Sequence, residues 1–173
     1  MFATSTTAPE RARSWAYVIA QLALLILLAT LPGGDTWSVP PSASALGDVA
    51  RLAGLVLLAA GLVSLGRSLS PFPAPSQLAV LKTRGAYALV RHPIYSGLIL
   101  LAAVWAATSG SLFTVTVASA LALLLDHKAR WEEQRLLRHF DGYADYAARV
   151  GRLVPLIGRL DLDSPPAGAS ADR

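Results

Sequence analysis

Apolar residues fall in four blocks along the chain, at residues 15–31, about 52–65, about 94–108 and about 112–125, with charged residues almost entirely between them. A helix needs roughly 20 apolar residues to cross a bilayer, and the first two blocks approach that length. Pro32-Gly33-Gly34 stops the first block. Arg11 and Arg13 precede it, as in a signal peptide, but Pro32-Gly33-Gly34 is a poor small-x-small cleavage site, so the block is read as a retained helix. The third and fourth blocks are short and joined only by Ser109-Gly110-Ser111. They predict a helical hairpin, tilted or extended by polar turns at its ends.

Composition agrees with this pattern. Of 173 residues, 54% are hydrophobic and 15% charged, with mean hydropathy +0.48, whereas a soluble domain carries about 25% charged residues. The expected fold is an all-α integral membrane protein with about four transmembrane helices. A cytoplasmic C-terminal cofactor-binding region with amphipathic helices would follow. Residues 1–160 form one domain, and 161–173, rich in Pro, Ala, Ser and Asp, form a disordered tail. Ser70-Pro71-Phe72-Pro73-Ala74-Pro75 is expected to be an extended connector, because alternate prolines block a helix.

The net charge of +4 does not point to nucleic acid, since Lys and Arg sit in short loops and tails. Arg11 and Arg13 precede the first helix; Lys82, Arg84 and Arg91 lie between the second and third; Lys128, Arg130, Arg135 and Arg138 follow the fourth. Residues 32–45 and the hairpin turn carry none. The positive-inside rule then gives four crossings with both termini cytoplasmic. Arg51 is the exception, expected at the outer end of the second helix and snorkelling beside Asp48. There is no Cys, and His92, His127 and His139 have no metal-ligand spacing, so no metal site is expected.

Two polar clusters remain, residues 85–97 and 126–133, joined by the apolar hairpin. They should meet at one membrane surface, where a polar site is costly unless used. Pro93 suits the first helical turn. It would leave the N–H groups of Ile94 and Tyr95 free for an anion, with His92, Tyr95 and Tyr87 adding hydrogen bonds and an aromatic face. Arg91, His92 and the two tyrosines read equally well as interfacial anchors. Lys128 and Glu132 share a helix face, as an ordinary ion pair or as part of a ligand site. Glu133 lies about 100° around the helix, toward water. Phe140, Tyr143, Tyr146 and Val150 have the spacing of an amphipathic helix, either packing on the bundle or, with Arg149, shaping a pocket.

The run Gly85-x-Tyr87-x-x-Val90-Arg91-His92-Pro93-x-Tyr95-x-Gly97 resembles the signature of the isoprenylcysteine carboxyl methyltransferase family, which is related to the phospholipid methyltransferases. A second block resembles that family too: Glu132-Glu133, Leu136, Phe140 and Tyr143-Ala144-Asp145-Tyr146, closed by Pro155. The resemblance covers residues 65–156. It implies an integral methyltransferase of a bacterial inner membrane that uses S-adenosyl-L-methionine and a lipophilic acceptor entering from the membrane. Cofactor contacts are implied at Ala79, Val80, Leu81, Lys82, Tyr87, His92, Pro93, Ile94, Tyr95 and Glu132. Lys128, with Arg130 near it, stands where the eukaryotic enzymes carry an Arg that serves the substrate carboxylate. Lys keeps the charge without the bidentate fork, so an amine lipid headgroup is an alternative acceptor. No GxGxxG unit is present, in keeping with a cofactor site outside a Rossmann domain. A sterol-type membrane reductase would need a longer chain and a nicotinamide site. A non-enzymatic scaffold would tolerate substitution at His92 and Glu132.

Overall fold

The computed structural model describes residues 8–65 and 81–161. The proline connector, nearly all of the tail, and Ala79 and Val80 lie outside them. Among the described residues there are six helices: α1 (Ala8–Thr30), α2 (Pro41–Leu65), α3 (Ala86–Leu89), α4 (Pro93–Thr108), α5 (Leu112–His139) and α6 (Tyr143–Arg149). Helices α1, α2 and α5 are long and apolar enough to cross a membrane. Helix α4 is apolar but has 16 residues, which at about 1.5 Å each is roughly 24 Å.

The outward surface of these helices is apolar, as a membrane setting requires. Trp15, Ile19, Leu22 and Ile26 on α1, and Leu52, Leu55, Val56 and Val63 on α2, are exposed. So large an apolar surface is unusual in a soluble monomer and unobjectionable in hydrocarbon.

Helices pack in the spatial order α2, α4, α5, α1. The contact of α2 with α4 rests on small residues. Gly47, Gly54 and Gly61, seven apart, are the buried residues of α2. Val104 and Thr108 lie over Gly47, Leu101 and the Gly97 carbonyl over Gly54, and Pro93 and Ile94 over Gly61. A Cβ on Gly97 would stand 2.7 Å from the Gly54 carbonyl oxygen. Close backbone approach of this kind is how helices gain dispersion contact where no hydrophobic effect drives them together. Between α4 and α5, Ala102 and Ala106 meet Val117, Leu121 and Leu125, joined by Leu28 of α1.

The hairpin turn forms as its sequence predicts. Ser111 caps α5 by accepting from the Thr114 N–H at 3.3 Å. The linker between α1 and α2 docks on this turn, with Gly34 N–H donating to the Ser109 carbonyl (2.7 Å) and Thr36 N–H to that of Gly110 (2.9 Å). At the opposite end, Arg135 pairs with Glu10 at 2.7 Å. The start of α1, the polar half of α5, α3 and α6 are thus gathered at one end of the bundle.

Three expectations change. Helix α2 begins at Pro41, so Arg51 lies inside it rather than at its end; it pairs with Asp48 and donates to Thr108 Oγ1 at 2.7 Å. Helix α5 runs on through the second polar cluster to His139. Helix α6 is confined to Tyr143–Arg149, with Phe140 and Val150 outside it. The apolar side chains of that region still cluster, Tyr143, Tyr146 and Ala147 packing with Leu81, Leu136, Phe140 and Val150.

Candidate functional site

Arg91, the most polar residue of the first cluster, is used up by the fold. Its Nε donates to Glu133 Oε1 at 2.7 Å, and Nη1 and Nη2 donate to the carbonyls of Ala147 and Gly158 at 2.9 Å. A third carbonyl, that of Val150, also accepts from Nη1. This planar fork satisfies the C-terminal end of α6 and the segment after it at once, which Lys could not do. Arg91 is neither an interfacial anchor nor available to a ligand.

Glu133 is the correction to the helical-wheel reading. It is buried, not turned to water. One oxygen takes Arg91, and the other takes Arg152 Nε at 2.8 Å. The partner arrives because the chain after α6 folds back on the start of α4. Arg91 N–H donates to the Gly151 carbonyl at 2.9 Å and His92 N–H to that of Arg152 at 3.1 Å.

Glu132, one residue earlier, faces a different environment. Tyr95 Oη donates to its Oε1 at 2.7 Å, and His92 Nδ1 lies 3.6 Å from Oε2. Among the described residues no Lys or Arg forms an ion pair with it. The His92 ring stacks on Tyr95, with centroids 5.5 Å apart and planes within 3°. His92 Nε2 is buried and lacks a hydrogen-bond partner; Glu133 Oε1, 3.3 Å away, is out of line with it. The cluster His92, Tyr95 and Glu132 therefore offers a carboxylate with spare acceptor capacity beside two parallel rings. A cationic group is the ligand such a carboxylate takes.

One turn deeper along α5, Lys128 is buried, with Nζ donating to Gln21 Oε1 of α1 at 2.9 Å and lying 5.1 Å from the Tyr95 ring centroid. Arg130 is turned away; it is exposed and pairs with Asp126 at 2.8 Å. The two residues expected to serve an acceptor are thus separated, and only Lys128 joins the cluster. Gln21 is a member of this cluster that motif spacing does not reveal. A lone amide inside an apolar block is the signal that marks it.

The remaining residues surround this core unevenly. Tyr87 is half-buried, and burial, with the Glu132 carboxylate adding to it, pushes its phenol up to about 12. Its carbonyl accepts from Tyr146 Oη at 2.6 Å, so Tyr146 tethers α3 instead of lining a pocket, and Arg149 is exposed. Burial, opposed by Arg91, also raises the Tyr146 phenol. Leu81 and Lys82 border a cavity of about 400 Å³ with Ser64, Thr83, Arg84 and Gly85. Pro93 is fully buried, and Gly61 of α2 covers the Ile94 nitrogen, where an added Cβ would stand 3.2 Å away.

Comparison of the chain with protein-family models, with curated proteins and with solved structures finds no match in any of the three.

Proposed function

We propose that the protein is an S-adenosyl-L-methionine-dependent membrane methyltransferase acting on a lipophilic acceptor, similar to the isoprenylcysteine carboxyl methyltransferases. The observation that carries the reading is Glu132, hydrogen-bonded by Tyr95 beside His92 and without a Lys or Arg partner among the described residues, one turn from the buried Lys128. The side chains suit the two charged ends of the reaction. Glu132 would take the ammonium of the cofactor's methionine part. The stacked rings of His92 and Tyr95, with Tyr87, would border its remaining surface, and Lys82 would meet its carboxylate from the cavity side. The cofactor supplies an activated methyl group when bound.

The chain's part in the reaction is alignment and exclusion of water, which need no covalent nucleophile; the sequence has no Cys to provide one. Lys128 would receive the acceptor's carboxylate and hold the attacking oxygen in place. In this reading α4 crosses despite its length, by local thinning of the bilayer. The bundle then makes four crossings of a bacterial inner membrane, with the charged end and both termini in the cytoplasm. Transfer of labelled methyl from S-adenosyl-L-methionine to a prenylcysteine analogue and to a lipid extract tests the reading. Label in the prenylcysteine ester is the expected result. Label confined to amine phospholipids would move the assignment to phospholipid N-methylation, and label in neither would reject methyl transfer.

A further inference from the structure

The segment after α6 carries an apolar tip that no part of the described chain covers. Val154, Leu156 and Ile157 are 50%, 68% and 65% exposed, and Pro155 between them is exposed too. They lie at the end of the bundle where charge is concentrated, so the exposure is not that of a helix face in the bilayer centre.

The register of this segment on α4 sets its depth. The Gly151 carbonyl accepts from Arg91 N–H, and that of Arg152 from His92 N–H, both ahead of α4. The Leu153 carbonyl accepts from Ser96 Oγ at 2.7 Å, already within the first turn of α4. The chain therefore descends alongside α4 as it goes from 151 to 153, and the tip lies at the level where the apolar block of α4 has begun. It then returns: Arg152 N–H donates to the Ile157 carbonyl at 2.9 Å, and Ile157 N–H to that of Val154 at 3.1 Å. Pro155 has no N–H to satisfy. These bonds satisfy only part of the returning backbone, so the segment belongs at the headgroup boundary, where water reaches the rest, and not in the hydrocarbon core. Arg149 and Arg159, both exposed, flank the tip, as cations flank apolar segments that sit among anionic headgroups.

We infer that residues 153–157 form an interfacial tip that takes lipid as its partner, with the side chains of Val154, Leu156 and Ile157 at the boundary of headgroups and acyl chains and Arg149 and Arg159 at the headgroups. Arg152 on Glu133 and the backbone bonds to Arg91 and His92 couple this lipid contact directly to the frame of the candidate site. The inference rests on the helices crossing a bilayer and not on methyl transfer.

The cysteine-free chain allows single-site labelling. The full-length variants Leu156→Cys, Asp141→Cys and Ile19→Cys carry an environment-sensitive fluorophore in vesicles of phosphatidylcholine and phosphatidylglycerol. Ile157→Cys replaces the first if it does not fold. Asp141 is an exposed turn residue at the same end, and Ile19 is exposed on α1. The label at Leu156 should lose emission to lipids spin-labelled near the headgroup and resist aqueous iodide, as at Ile19, while Asp141 shows the reverse. A Leu156 label quenched by iodide like Asp141, with Ile19 still protected, overturns the tip assignment alone. Iodide quenching at Ile19 as well would overturn the crossing helices on which it stands.

Discussion

Arg91 and Glu133 lie 2.7 Å apart with side chains only 2% and 9% exposed, and the three polypeptide segments that build the site converge on this pair. Removing one charge leaves the other buried without compensation, which costs about 3–5 kcal/mol. Glu133→Gln should therefore lower the thermal unfolding midpoint in detergent strongly, and Arg91→Ala at least as much. Glu132→Gln should leave the midpoint close to wild type, since Glu132 has no guanidinium to abandon. Equal midpoints for the two Glu variants would show that the adjacent acids share one role.

The close contact of α2 with α4 gives an independent test of the fold. Gly97→Ala places a methyl 2.7 Å from the Gly54 carbonyl and 2.9 Å from Leu58 Cβ. The helices must separate, at the overpacking cost of about 1–3 kcal/mol. Gly142→Ala is the control, with nothing within 4 Å of the new methyl. Reversible unfolding in micelles should separate the variants, and an unaffected Gly97→Ala would mean the two helices are not in contact.

Much of this arrangement is legible in the sequence. The four apolar blocks, the hairpin turn and the meeting of the two polar clusters all follow from hydropathy and turn residues. The role of Glu133 is not legible, because its partner Arg152 is delivered by backbone bonds to Arg91 and His92 that leave no local pattern. Helical-wheel reasoning sees only the 100° between neighbours, not what folds over them. The start of α2 is hidden by its polar first turns, yet the spacing of Gly47, Gly54 and Gly61 was there to be read. Gln21 likewise stood out as polar within an apolar block, and its meaning came only with Lys128 opposite.

Lys128 and Arg130 should behave differently when assayed for methyl transfer. Lys128→Ala should depress turnover on a carboxylate acceptor while cofactor affinity stays near wild type, and Lys128→Arg should keep activity by restoring charge and adding a fork. Arg130→Ala should change neither, as an exposed pair contributes about 0–1 kcal/mol. Full turnover in Lys128→Ala on every acceptor would make the lysine structural and favour an amine headgroup.

Orientation in the membrane follows from which end carries the cations. Reporter fusions at the C-terminal tail and within residues 32–40 should report opposite sides, with the tail cytoplasmic. The same side for both would reject four crossings.

The proposed function stands on Glu132 as the anchor of S-adenosyl-L-methionine. Titration calorimetry on the detergent-purified protein measures it directly. Wild type and Arg130→Ala should bind S-adenosyl-L-methionine alike and give no heat with NADPH. Glu132→Gln should bind more weakly by the value of a charge-assisted hydrogen bond, about 1.5–3 kcal/mol. Folded wild type that gives no heat with S-adenosyl-L-methionine, or Glu132→Gln that binds it as tightly as wild type, would contradict the account.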